Sequence, residues 1–121
     1  MAKQAEIARQ TIAAQCESGE QVRSVGLCMT GAAWSLLSFW LVKNYWIGIT
    51  DKRLIAIRLD ALSKPVTSEA QKVPLSDVKL DGNKILVKLP GKEKPEVFIM
   101  RFGLKNATGF DANEFKAALS R

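Results

Sequence analysis

Asn44–Asp60, NYWIGITDKRLIAIRLD, holds two short runs rich in Ile, Leu, Tyr, Trp and Thr on either side of a charged centre, Asp51-Lys52-Arg53. Those residue types suit a pleated, half-buried surface, so Tyr45–Thr50 and Leu54–Leu59 are expected as antiparallel strands that reverse at Asp51–Arg53. Asp at such a place bonds its own backbone two residues on, which favours the turn. With Asp51 and Lys52 as the turn, Tyr45 faces Arg58 and Lys43 faces Asp60 across the hairpin. Lys43 and Arg58 then stand at one end. Lys52 and Arg53, expected in solvent, stand at the other.

Upstream, Ala2–Cys16 is rich in Ala and Gln, the composition of a helix. Its large apolar side chains, Ile7 and Ile12, lie about 140° apart around a helix, so its apolar face is thin and Ala-lined. A helix of this kind packs weakly, or against a partner. Glu17-Ser18-Gly19-Glu20 stops it, with Gly19 as the left-handed cap. Gln21–Cys28 reads as a strand.

Met29–Val42, MTGAAWSLLSFWLV, carries no charge and two tryptophans. As a helix it reaches about 21 Å, short of the roughly 30 Å hydrocarbon layer, and Lys43 follows at once. A spanning helix is therefore not expected. A buried core segment, a self-association surface and a shallow membrane-inserting segment all fit the pattern.

Downstream, Ala61–Gln71 is a polar loop with Pro65, and Lys72–Lys79 reads as one short edge strand, because Pro74 cannot donate to a ladder. Asp81-Gly82-Asn83 is a turn signal, Ile85, Val87 and Leu89 alternate beyond it, and Pro90-Gly91 suits a type II turn before a strand over Glu96–Phe102. Phe110-Asp111-Ala112-Asn113-Glu114-Phe115 sets Asp111 as N-cap and Glu114 three residues later, with the two Phe in staple positions. Ala112, Phe115, Ala118 and Leu119 would form the buried face of the last helix.

Four features taken together resemble the bacterial pleckstrin-homology-like (PH-like) domains: the entry G-E-x-V at Gly19–Val22, the turn T-D-K-R-L at Thr50–Leu54, the segment V-P-L-S-D-V at Val73–Val78, and strands followed by a single C-terminal helix. The resemblance implies a mainly β fold: a bent barrel of two antiparallel sheets, with six or seven strands, capped by the C-terminal helix. It covers Gly19–Arg121, so residues 1–18 are read as an N-terminal helical extension and 19–121 as the PH-like domain. The apolar stretch Met29–Val42 departs from the common pattern. Resemblance to this family implies self-association into rings and leaves the ligand unassigned. The Lys-rich phosphoinositide pattern of eukaryotic PH domains is missing at the corresponding place, so inositide binding does not carry over.

The chain's 121 residues suffice for one domain with its own core. Its net charge of +6 falls mostly in residues 51–121 and permits attraction to phosphate-bearing surfaces. There is no histidine, so the usual general base at neutral pH is missing, and no nucleophile elbow or phosphate-cradling glycine loop is present. An enzyme is not expected, nor a cofactor. Cys16 and Cys28 have no metal-ligand spacing and are expected as reduced thiols. Lys88, Lys92 and Lys94 are read as solubilising. Phe98 and Phe102 are read as core, so nucleic acid is not an expected partner. Met1–Glu20 lacks the form of a secretory signal, so the expected setting is cytoplasmic, either free or peripheral to the inner face of the membrane.

The resulting expectation is a non-catalytic binding or assembly module that self-associates or binds a protein partner. The alternative is a peripheral membrane-binding module. In both, the surface is built from Trp34, Phe39 and Trp40, with Lys43, Arg58 and Lys64 beside them to meet a partner or anionic headgroups.

Overall fold

The computed structural model describes residues 4–30, 43–60, 62, 64–82, 84–88, 96–100 and 109–119. The elements are α1 (Gln4–Ala13), β1 (Val22–Thr30), β2 (Lys43–Thr50), β3 (Arg53–Arg58), β4 (Gln71–Pro74), β5 (Val78–Asp81), β6 (Lys84–Val87), β7 (Glu96–Met100) and α2 (Ala112–Leu119). The central hairpin is as expected: β2 and β3 pair antiparallel from Tyr45↔Arg58 to Ile49↔Leu54.

All seven strands join in one antiparallel sheet, in the order β4-β3-β2-β1-β7-β6-β5. The expected two antiparallel sheets are the halves of this one sheet, joined by β1, which pairs β2 along its length and β7 at Cys28↔Met100 and Met29↔Ile99. The order itself forces a curl. β4 and β5 stand at opposite ends of it, yet only a 3-10 turn, Leu75–Asp77, separates them in the chain. Pro74 and Val78 are four residues apart and so at most about 14 Å from each other. A flat sheet cannot satisfy that, and the result is a curled half-barrel. The same turn corrects the reading of Lys72–Lys79 as one strand. Asp77 leaves the ladder there, and Lys88 N–H donates to its carbonyl at 2.9 Å.

The hairpin strands are buried on both faces. Tyr45, Trp46, Ile47 and Ile49 on β2 and Leu54–Ile57 on β3 are all buried, so the alternation of a half-solvated sheet is lost. Tyr45 meets Phe98 of β7 edge to face, with ring centroids 5.1 Å apart, which ties the two halves across the interior. On the opposite face lies α1. A Cβ at Gly48 would run into the side chain of Ile12, so only glycine lets the helix come this close. The thin face of α1, Ala5, Ala8 and Ile12, is fully committed to the core, while Ile7 points to solvent at 44% exposure. Where weak packing or a partner was expected, the helix packs on β1 and β2 of its own chain.

Helix α1 ends before the place its sequence suggests. Gly19, with φ +85°, occupies the third position of a turn closed by Glu20 N–H to Glu17 carbonyl (3.0 Å), rather than capping the helix. At the other end of the chain, Asp111 Oδ1 accepts the N–H of Asn113 (3.0 Å) and of Glu114 (3.2 Å), so it is the N-cap of α2. Phe110 and Phe115 are both buried, as a staple requires. Ala112, expected on the buried face, is exposed; Phe115 does the anchoring, with Ala118 and Leu119 half-buried. Gly82, at φ +60°, opens the two-residue loop of the β5–β6 hairpin. The Pro90-Gly91 turn, Leu89, Lys92, Lys94 and Phe102 lie outside the described residues.

Candidate functional site

The two ends of the β2–β3 hairpin differ in kind. At the first, Thr50 stands opposite the entry to β1. Its hydroxyl donates to Glu20 Oε2 at 2.6 Å and accepts the N–H groups of Lys52 (3.1 Å) and Arg53 (2.9 Å). The turn is thus held by Thr50 rather than by the expected bond of Asp51 to its own backbone. Asp51 instead reaches β1: its Oδ1 accepts Gln21 N–H at 3.1 Å, and its N–H donates back to the Gln21 carbonyl at 3.2 Å.

Arg53 corrects the expectation of a solvated turn residue. Its Nε and Nη2 clasp the two oxygens of Glu20 at 3.0 and 2.9 Å, and the Glu20 side chain is fully buried. The same guanidinium reaches the Gln15 carbonyl at 3.3 Å and the Glu17 carboxylate at 3.5 Å. Burial pushes the Glu20 carboxyl up, but bonds from the Thr50 hydroxyl, the Glu17 N–H and Arg53 outweigh it and bring the group down to about 2. This network had no separate signal in the sequence. Glu20 of G-E-x-V lies 30 and 33 residues from Thr50 and Arg53 of T-D-K-R-L, and nothing in either motif shows that their side chains bond each other. The Glu20 carboxylate, the Thr50 hydroxyl and the Arg53 guanidinium are all bonded within the chain, so this end is structural.

The opposite end is where the sequence placed a contact surface. The β1–β2 ladder runs to its last rung, Thr30↔Lys43, so Met29 and Thr30 finish β1 and are not part of a separate segment. Residues 31–42, with Trp34, Phe39 and Trp40, lie outside the described residues, as does the side chain of Lys43. The structure fixes where their segment leaves and returns: at the outer end of this hairpin.

Arg58 and Lys64 are brought to that same end but in different roles. Arg58 is engaged. Its Nε and Nη2 both bond Glu69 Oε2, at 2.9 and 2.5 Å, on the 3-10 turn Thr67–Glu69. Lys64 is exposed, in a loop organised by Asp60. Asp60 Oδ1 accepts the N–H groups of Leu62 and Lys64, each at 2.9 Å. The bond from Lys64 N–H chiefly, and that from Leu62 N–H, hold the Asp60 carboxyl below the usual carboxylate range. Leu62, overlooked in the sequence as part of a polar loop, is 75% exposed.

Neither thiol is poised to react. Burial, together with the charge of Glu20, raises Cys16, and burial raises Cys28, so the nucleophilic thiolate is disfavoured at both. Among the described residues no group of three His, Cys, Asp or Glu side chains could hold a metal ion, and no helix is long and apolar enough to cross a membrane. No family model, curated protein or solved structure matches the chain.

Proposed function

We propose that this chain is a PH-like domain acting as a non-catalytic binding or assembly module, and that it works through the Lys43–Lys64 end of the hairpin, by self-association or by binding a protein partner. One observation carries the reading. Both strand ends that bound the uncharged residues 31–42 and the loop that displays Leu62 meet at a single end of the half-barrel. An uncharged stretch with two tryptophans, joined to the fold at the end where Leu62 is exposed, supports a contact surface there. The strand order, the one C-terminal helix and the meeting of the G-E-x-V and T-D-K-R-L segments support the PH-like reading. A peripheral membrane module is the second reading, favoured by exposed Lys64 beside exposed Leu62.

The test is Trp34→Ser with Trp40→Ser, sized by light scattering over a range of concentrations. Assembly expects a folded monomer where the unchanged chain gains mass with concentration. Membrane contact expects instead that the unchanged chain stays a monomer and its tryptophan emission shifts to the blue on adding anionic vesicles, a shift the double variant, left with buried Trp46, should lose. An unfolded double variant would place the segment in the core and overturn both.

A further inference from the structure

Strand β5 ends the sheet and has β6 as its one neighbour there. The bond from Lys88 N–H to the Asp77 carbonyl fixes the phase of that pairing. Bonded and unbonded pairs alternate along an antiparallel ladder. Lys79 and Asp81 therefore spend their backbone groups on Leu86 and Lys84, while Val78 and Leu80 turn theirs to the open edge. Val78 N–H is taken by the Leu75 carbonyl at the end of the 3-10 turn. Leu80 N–H and carbonyl have no partner among the described residues, and they lie towards the end of β5 away from that turn. The side chains alternate too. Val78 and Leu80 are half-buried on the side of buried Ile85 and Val87, and Lys79 and Asp81 are exposed on the other. Neither Lys79 nor Asp81 makes an ion pair among the described residues, although Lys84 stands across the hairpin from Asp81.

We propose that β5 pairs antiparallel with β5 of a second copy, about a two-fold axis at Leu80. This contact is separate from the Lys43–Lys64 end and does not rest on it. The order of charges selects the occupant. An axis at Leu80 sets Lys79 opposite Asp81 of the second copy, and Asp81 opposite its Lys79, on one face. The two Leu80 residues exchange N–H to carbonyl bonds at the axis, and their half-buried side chains meet beside it. The neighbouring register that uses the outward groups is centred on Lys79. It sets like charges opposite each other and calls on Val78 N–H, already bonded to Leu75. Exposed charges on an edge strand ordinarily discourage added strands. Here they are answered by a strand with a cation and a carboxylate two residues apart in reversed order, which the same strand supplies when turned about. The other edge has no such answer: β4 carries Lys72 and no carboxylate, and Pro74 has no N–H to give. Four residues a side make a small contact, so pairing is expected only near roughly millimolar concentration, above the range in which light scattering sizes the hairpin end.

Diffusion and amide exchange of the full chain, followed by NMR from roughly micromolar to millimolar concentration, test this. Leu80 N–H should exchange more slowly as concentration rises, while Lys79 N–H, bonded to β6 in either state, should not change. Lys79→Glu sets carboxylates opposite each other on both sides of the axis, and Asp81→Lys does the same with cations. Each alone should weaken the dimer by about tenfold. An equimolar mixture of the two variants puts opposite charges back in both places and should pair as well as the unchanged chain. Both positions are exposed, so both variants should stay folded. A chain that remains monomeric to millimolar concentration would overturn the pairing. So would association that leaves Leu80 exchange unchanged or that neither variant weakens, since each places the contact elsewhere. A mixture that pairs no better than its two components would overturn the register and, with it, the choice of a second copy.

Discussion

Strand β3 begins and ends with an arginine, and each meets a glutamate. Arg53 clasps Glu20 with its side chain 18% exposed and that of Glu20 fully buried; Arg58 holds Glu69 with 30% and 56% exposed. The chemistry is the same, but the surroundings are not. Glu20 is taken out of water, and the cost is met by the Thr50 hydroxyl, the Glu17 N–H and the Arg53 fork acting together. Glu69 keeps much of its hydration, so its pair adds little. One end of the hairpin is therefore locked into the fold and the other is free to carry a contact. The difference shows that charge at a turn says nothing of its role until its partner is known.

The largest expected effect lies at the locked end. Arg53→Ala leaves a buried carboxylate without its counter-charge and should cost about 3–5 kcal/mol in urea unfolding. Lys52→Ser, one residue earlier and exposed, should stay within about 0.5 kcal/mol. Equal, small losses for both would return Arg53 to solvent and erase the distinction.

Acid probes the same contrast. Glu20 titrates at about 2 in the folded chain against an ordinary 4.5. Its contribution is thus fully present above about pH 4.5 and lost as the pH falls towards 2, amounting to about 3 kcal/mol. Glu20→Gln should start from lower stability at neutral pH and show a shallower decline over that window. An unchanged acid slope in this variant would mean the carboxyl is not held as described.

A smaller effect is expected where α1 sits on the hairpin. Gly48→Ala forces Ile12 aside and should cost about 1–3 kcal/mol, and markedly less in a chain that already carries Ile12→Ala, which removes the clashing Cγ2. Additive losses would separate the helix from the strand. Smallest of all, Arg58→Ala should barely move the urea midpoint, and less again in high salt. A loss as large as that of Arg53→Ala would make the outer end structural as well.

Much of the local architecture was legible because it depends on near neighbours in the chain. The register Tyr45↔Arg58 follows from turn length, the Asp111 cap from its spacing to Glu114, and the β5–β6 reversal from Gly82. The errors came from contacts between distant segments. Arg53 was read as solvated because Glu20 stands 33 residues away; α1 was read as weakly packed because its socket is the absent side chain of Gly48. Leu62 was passed over because a polar loop does not reveal which residue its hydrogen bonds will turn outward.

The amino-acid sequence by itself determined the hairpin, the capped C-terminal helix and an uncharged stretch bounded by Lys43, since these follow from residue types at fixed short spacings. Tertiary structure alone decided that Lys72–Lys79 breaks into two strands at opposite edges of one sheet, that its order curls into a half-barrel, and which of two arginines on one strand meets a buried carboxylate. The physical reason is common to all three. Burial and pairing depend on which distant groups arrive at the same place, and a hydrogen bond or a lost hydration shell is felt only across a few ångströms of space, whatever the distance along the chain.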